Sequence, residues 1–520
     1  MRTQIHDLIA QAAGTDPEAA AVTCEDVTVS YAQLWREVAS FGTALRDLGI
    51  CRGDRVAIYL DKRIETVAAL FGTSAGEGVC VPVNPLLRPK QVGYIMQDCS
   101  ARVLVTSPER LALLRDELEV RKSVEHVVLV GQDALAEPGT RYTVGPWPTA
   151  TEGDVFAAKA IDADMAAILY TSGSTGMPKG VVLSHRNLIA GAESVSHYLG
   201  NTADDVILSA LPFSFDAGFS QLTTAFCVGA HVVLLNYVLP ADVVRLCARH
   251  RITGLTGVPP LWIKLADLDW PNEATQQLRY FANTGGRMPK ATLDRLRRLF
   301  PDAEPFLMYG LTEAFRSTYL DPAEVDRRPS SIGKAIPNAE ILVVRPDGSV
   351  CDPGEEGELV HRGALVAMGY WNDPERTAQR FRLVPARESG LCADEIAVWS
   401  GDTVVRDEDG FLYFIGRDDE MIKTSGYRVS PTEIEEAAYD SGLVRDVVAL
   451  GVADMNLGQH VVLVVSPTSG ATVDVDSLLA RMRQALPLYM LPQRVAVKAE
   501  IPRSPNGKFD RALLRKELAG

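Results

Sequence analysis

A chain of 520 residues with 47% hydrophobic side chains exceeds what one hydrophobic core accommodates, so more than one domain is expected. Its formal net charge of −15 argues against general binding to nucleic acid or to an anionic membrane, and no uninterrupted apolar stretch reaches the roughly 18 to 20 residues of a membrane helix. Eight widely spaced cysteines lack disulfide-framework or zinc-ligand spacing, and Arg2, Asp7 and Asp16 stand where a signal peptide would be apolar, so a soluble, cytoplasmic protein without membrane insertion or a nucleic-acid partner is expected.

A polar, Ala-rich opening predicts a helix, followed by a short strand at 27–31 and a helix over 32–48 that stops at Gly49. Strand and helix then alternate, with strands at 55–60, 79–83 and 102–106 and helices at 65–76 and 90–97. This rhythm predicts a largely parallel, doubly wound sheet. A less regular stretch at about 131–162 is read as the join between two α/β units. The apolar run 165–170 is a further strand, a helix starts at Ser184, and strands follow at 206–211, 230–235, 254–258 and 306–308. From Ile332, short strands and Gly/Asp/Pro turns predict a smaller β subdomain. A final α+β unit begins near Gly416, with strands at 447–451, 460–465 and 494–498. The expected fold class is therefore α/β, with an N-terminal domain over 1–416 made of two doubly wound α/β subdomains to about 331 and a β subdomain at 332–416. A mobile α+β C-terminal domain over 417–520 completes it.

Between the run 165–170 and Val181 lies Thr171-Ser172-Gly173-Ser174-Thr175-Gly176-Met177-Pro178-Lys179-Gly180. Its glycines let the backbone approach a ligand, and its hydroxyls and the Lys179 ammonium are donors for phosphate oxygens, a composition that suits a polyphosphate. A Gly-Lys-Ser/Thr ending is missing and the glycine spacing fails the dinucleotide fingerprint. Phe215-Asp216-Ala217-Gly218 follows a strand, where Asp216 either caps the next helix or lines a pocket. Asn283-Thr284-Gly285-Gly286-Arg287 and Tyr309-Gly310-Leu311-Thr312-Glu313 sit at strand ends, the edge at which ligands gather in an open α/β sheet. Glu313 also suits the first turn of a helix. Ser400-Gly401-Asp402 would ordinarily be a turn, although a carboxylate can accept two hydrogen bonds at once. Near the end, Pro502, Pro505 and Gly507 hold Lys508 in a loop of defined course, a place for a cation facing charge that builds up on phosphate in a transition state.

These motifs, in this order and over nearly the whole chain, resemble the adenylate-forming (AMP-binding) superfamily of acyl-CoA synthetases, luciferases and peptide-synthetase adenylation domains. The resemblance implies an ATP- and Mg2+-dependent ligase that makes an acyl adenylate and pyrophosphate, then lets the phosphopantetheine thiol of CoA or of a carrier protein displace AMP. It implies that Thr171, Ser172, Gly173, Ser174, Thr175, Gly176 and Lys179 face the nucleotide with Gly285, Gly286, Arg287 and Gly310. Tyr309 would stack on adenine, Asp402 and Arg417 would hold the ribose, Thr312 the α-phosphate and Glu313 the magnesium. Lys508 resembles the lysine of the first step, and Lys423 lies on the segment that faces the site in the second. Asp419 would be the hinge, with Gly426 and Arg428 on the thiol-tunnel side. Phe215, Asp216, Gly218, Asn283 and Thr284 would line the acid site.

Two resemblances bear on the acid. Many acyl-CoA synthetases carry a His near Asp216, whereas Phe-Asp-Ala is similar to amino-acid-adenylating enzymes that load carrier proteins, whose Asp pairs with a substrate ammonium. Residues 211–371, with Gly369-Tyr370-Trp371-Asn372-Asp373-Pro374, look most like acyl-CoA ligases associated with exosortase and polysaccharide gene sets. The expected substrate is a small carboxylic acid, leaning to an amino acid. The alternative is a fatty or other non-amino acid joined to CoA. A monomer or homodimer is expected. Ser400 departs from the family's usual Thr but keeps the hydroxyl. A catalytically silent adenylate-binding module is disfavoured because Thr312, Glu313, Asp402, Lys423 and Lys508 are all intact.

Overall fold

Short aliphatic runs, buried on both faces, build the middle of the first sheet. Val79–Pro82, Arg55–Tyr59, Val103–Thr106 and His126–Leu129 lie side by side in parallel, joined by the helices Ile64–Ala75, Pro89–Asp98 and Pro108–Val120. Helices on both faces remove the alternation of an exposed strand, which is why these segments are continuously apolar. In the computed structural model the described residues are 1–131, 140–149, 159–171, 178–384, 394–417, 420–424, 427–454, 458–468, 472–486, 488–505 and 507–518.

The same sheet continues through Met165–Thr171 and Lys179–Ser184, which pair antiparallel so that Thr171 stands opposite Lys179. Gly369–Tyr370 adds to the outer edge of Lys179–Ser184. The helix expected at Ser184 is present as His185–Tyr198, with the Ser184 hydroxyl accepting from the Asn187 amide.

A second sheet places Ala20–Cys24, His231–Leu234, Val206–Ser209, Gly254–Gly257, Tyr280–Asn283 and Glu304–Tyr309 in parallel. The strand Ala20–Cys24 was not among the sequence expectations. It lies between Val27–Ser30, its antiparallel partner across a tight turn, and His231–Leu234, its parallel partner about two hundred residues away, so a local hairpin and tertiary pairing set it together. Beyond Glu304–Tyr309 the ladder turns antiparallel through Thr318–Leu320 and Ser331–Ala335. It then runs without a break into the β region of Leu412–Arg417, Ile396–Arg406, Glu356–Gly363 and Ala339–Val344. The large N-terminal domain thus shares one hydrogen-bonded framework between its second α/β layer and its β layer.

The C-terminal domain has its own sheet. Asp446–Asp454 and Gly458–Ser466 pair antiparallel, and Arg494–Val497 lies parallel to the latter. The helices Pro431–Asp440 and Val475–Ala485 bury Ile434, Leu478 and Met482 against Val447 and Leu463 on one face, and Arg511–Leu518 buries Leu514 on the other. Among the described residues, no helix is long and apolar enough to cross a membrane.

Candidate active site

The parallel run of Gly254–Gly257, Tyr280–Asn283 and Glu304–Tyr309 delivers three segments to one edge of the second sheet, at the carboxyl ends of its strands. Asn283 closes its own turn by donating from Nδ2 to the Gly286 carbonyl at 2.8 Å, and the Thr284 amide donates to the Gly257 carbonyl at 3.0 Å. Gly285 has φ +74, a backbone region that disfavours a side chain. A Cβ placed there would lie 3.8 Å from Cε of Lys508, so the C-terminal loop reaches this turn.

That loop is braced from both domains. The Ser504 amide donates to the Lys508 carbonyl at 2.7 Å, Arg503 donates to the Gly507 carbonyl at 3.2 Å and to Asp446 Oδ1 at 3.0 Å, and Asn84 Nδ2 of the first sheet donates to the Pro505 carbonyl at 3.2 Å. Lys508 itself is exposed.

Next to Gly310, a single turn of 3-10 helix over Thr312–Ala314 carries Glu313 inward, leaving it 8% exposed. Lys179 Nζ donates to Glu313 Oε1 at 2.9 Å and to the Tyr370 hydroxyl at 2.8 Å, while that hydroxyl donates to the same Oε1 at 2.6 Å. Burial alone would raise the Glu313 carboxyl. The Lys179 ammonium and the Tyr370 hydroxyl overcome it and hold the group at about 2, so it is a carboxylate at any working pH. A hard dication shared with nucleotide phosphates takes one or two carboxylates from its protein, and a buried, fully ionised Glu313 matches that donor set. Among the described residues no group of three or more His, Cys, Asp or Glu side chains forms a self-sufficient metal cage.

Asp402 and Tyr309 meet directly. The Tyr309 hydroxyl donates to Asp402 Oδ2 at 2.5 Å, and Asp402 is 2% exposed. The turn beneath is held by Ser400, whose hydroxyl donates to the Leu359 carbonyl at 2.6 Å and accepts from the Asp402 amide at 3.1 Å, and by Glu358, which accepts from the Gly401 amide at 2.8 Å. The hydroxyl kept at Ser400 therefore has a structural use.

Phe215, not Asp216, is the N-cap of the helix Asp216–Val228, and no side chain caps it. The capping alternative for Asp216 is thus excluded. Its Oδ2 instead accepts from Arg316 Nη1 at 3.0 Å. Gly218 is required by packing, since a Cβ there would lie 1.9 Å from the Pro212 carbonyl oxygen.

The Arg287 guanidinium is taken up in an ion pair with Glu436 on the C-terminal helix Pro431–Asp440 and so bridges the domains. Burial lowers its pKa, which makes a carboxylate partner the favourable arrangement. Thr171 and Lys179 stand opposite each other at the two sides of 172–177, but Ser172, Gly173, Ser174, Thr175, Gly176, Asp419 and Gly426 lie outside the described residues, as do the side chains of Arg417, Lys423 and Arg428. Two residues of this site carried no separate expectation. Tyr370 and Arg316 were both visible only as parts of a family stretch.

The family model described as AMP-binding enzyme matches residues 9–371, and that described as AMP-binding enzyme C-terminal domain matches 433–508. The chain is 32% identical to the L-proline–[L-prolyl-carrier protein] ligase of Streptomyces coelicolor, over 93% of this chain and 91% of that protein. It is 29% identical to a long-chain-fatty-acid–CoA ligase of Salmonella typhimurium, over 95% and 90%. Against a linear gramicidin synthase of Brevibacillus parabrevis it is 30% identical over 98% of its own length but spans only 6% of that relative. The structure of ATP-bound MatB from Rhodopseudomonas palustris superposes with a TM-score of 0.85 at 26% identity, covering 99% of each chain.

Proposed function

The chain belongs to the AMP-binding enzyme family, and on that premise we propose that it uses ATP to activate a small carboxylic acid and passes the acyl group to a phosphopantetheine thiol. In the first step a carboxylate oxygen attacks the α-phosphorus, and the bond to pyrophosphate breaks. In the second the thiol sulfur attacks the acyl carbon, the bond to AMP breaks, and the thiol proton leaves to solvent.

The observation that carries this reading is the approach of Lys508 to the Gly285 turn, beside the strand that leads to Glu313. Two anions repel as the carboxylate nears the nucleotide, and a cation already positioned there is worth most where charge accumulates. Thr312 and Lys179 add donors for the phosphates, and Asp402, steadied by Tyr309, accepts from ribose hydroxyls. Glu313 would hold magnesium, which when bound neutralises phosphate charge. The thiol needs the space that Lys508 fills, so the second step calls for the C-terminal domain to swing away about a hinge near Asp419, with Lys423 and Arg428 turned toward the site.

The acid leans to an amino acid. Support comes from the relative whose name specifies proline and a prolyl carrier protein. A carrier protein is accordingly the favoured acceptor, with CoA as the alternative, and the cytoplasm, where ATP and thiol acceptors are supplied, is the compartment that fits. Pyrophosphate release measured over amino, fatty and aryl acids, with CoA and a carrier protein in parallel, tests this. Release with at least one small acid and thioester formation on one acceptor are expected. Release with no carboxylic acid at all would overturn the assignment.

A further inference from the structure

Two residues past Glu313, Phe315 holds a backbone conformation that a bulky side chain disfavours. It has φ +55 and ψ −45, and the Arg316 amide donates across it to the Ala314 carbonyl at 2.6 Å, which closes a γ-turn of the rare, strained kind. Among the described residues it is the one apolar side chain at positive φ. Strain of this kind persists only where the surroundings over-determine it. Here the ring supplies the hold. Phe315 is fully buried and seats in a notch on the helix His185–Tyr198, where a Cβ added at Gly191 would lie 2.5 Å from its Cδ1 and 2.8 Å from its Cε1. Glycine inside a helix is unfavourable relative to alanine, and at this position the missing side chain is what admits the ring. One turn earlier on the same face, Asn187 Nδ2 donates to the Ala364 and Val366 carbonyls at 2.8 and 2.9 Å, and the next amide, that of Ala367, donates to the Glu313 carbonyl at 2.9 Å. One helix face therefore grips the chain on both sides of the Glu313 carboxylate.

Resting on the reading of Glu313 as the residue that would hold magnesium, we propose that Phe315, wedged against Gly191, is a positioning residue that aims the Glu313 carboxylate and so sets the metal-dependent part of nucleotide binding. Without the notch, the backbone at Phe315 relaxes to negative φ. A rotation of that size, two residues away, turns the Thr312–Ala314 turn and carries Glu313 off Lys179 and Tyr370. Groups that orient a metal ligand from behind typically cost 10 to 100-fold in metal affinity when removed, so an effect of about tenfold is expected.

The test is calorimetric titration of the full-length protein with ATP, no acid present, once with Mg2+ and once with EDTA. The wild type should bind more tightly with Mg2+. Phe315→Gly leaves the turn its positive φ, removes only the ring and should lose about tenfold of that tightening, with the Kd in EDTA unchanged within about twofold. Gly191→Ala, which drives the ring out of its notch, should do the same. Adding Phe315→Leu to Gly191→Ala, a shorter side chain for a shallower notch, should restore most of the loss. Phe315→Gly introduces no clash and carries the test by itself if thermal unfolding shows that Gly191→Ala does not fold. Full Mg2+-dependent tightening in folded Phe315→Gly would overturn the inference, as would equal weakening with and without Mg2+, the mark of a merely structural role. Glu313→Gln separates the two layers. If it keeps the tightening, the magnesium reading and the inference fall together; if it loses the tightening and Phe315→Gly does not, the inference falls alone.

Discussion

Replacing Lys179 with Met tests the electrostatics of the site without touching its backbone. The side chains of Lys179 and Glu313 are 19% and 11% exposed, so the pair is shielded from bulk water. Removing one member of a buried pair and stranding the other costs about 3–5 kcal/mol. A carboxyl held at about 2 against a usual 4.5 gives a similar value, about 3 kcal/mol. The sign with pH follows. The Glu313 carboxyl is depressed in the folded state, so its stabilisation is complete above about pH 4.5 and fades as pH falls toward 2. In Lys179→Met burial dominates and raises the carboxyl, so this variant gains relative stability on acidification. Urea unfolding of the wild type, Lys179→Met, Glu313→Gln and the double variant should show a gap between the first two that is widest near pH 7 and narrower by pH 4. The double variant should recover most of the loss, because an amide needs no counter-charge. A gap independent of pH, or a double variant no more stable than Lys179→Met, would refute the reasoning.

Tyr309→Phe removes the donor to Asp402 Oδ2, and steady-state kinetics should show the KM for ATP rising about tenfold, the ~1.4 kcal/mol of a charge-assisted bond. Gly218→Ala forces a Cβ against the Pro212 carbonyl and should destabilise by at least about 2 kcal/mol in thermal unfolding, whatever substrate is present. Arg287→Ala breaks the bridge to Glu436. With both side chains about a third exposed, the pair is worth under about 1 kcal/mol, so adenylation measured by pyrophosphate exchange should fall less than about fivefold and Glu436→Ala should match it.

Much of the site is legible in the sequence because its motifs are contiguous. The hairpin that sets Thr171 opposite Lys179, the turn at Gly285 and the Ser400-Gly401-Asp402 turn are each local, with their glycines, hydroxyls and carboxylates in one short window. What escapes depends on distant chain. Ala20–Cys24 pairs locally with Val27–Ser30, but its place in the parallel sheet depends on the distant His231–Leu234. Tyr370 matters because its strand pairs with Lys179–Ser184, which brings its hydroxyl to Glu313. Arg316 stands a hundred residues from Asp216 along the chain, and Arg287 pairs with Glu436 only where the two domains meet. The Phe-Asp-Ala element alone leaves Asp216 free for an ammonium, whereas the folded protein supplies one of its oxygens with a guanidinium.

The decisive comparison is acid-dependent exchange of labelled pyrophosphate into ATP by the wild type and by Lys508→Ala, with thioester formation from a supplied acyl adenylate followed alongside. The wild type should exchange, and the variant should lose exchange by about two or more orders of magnitude yet still convert the adenylate. Equal exchange by both proteins, or parallel loss of both half-reactions, would contradict a cation at the Gly285 turn serving the first step alone.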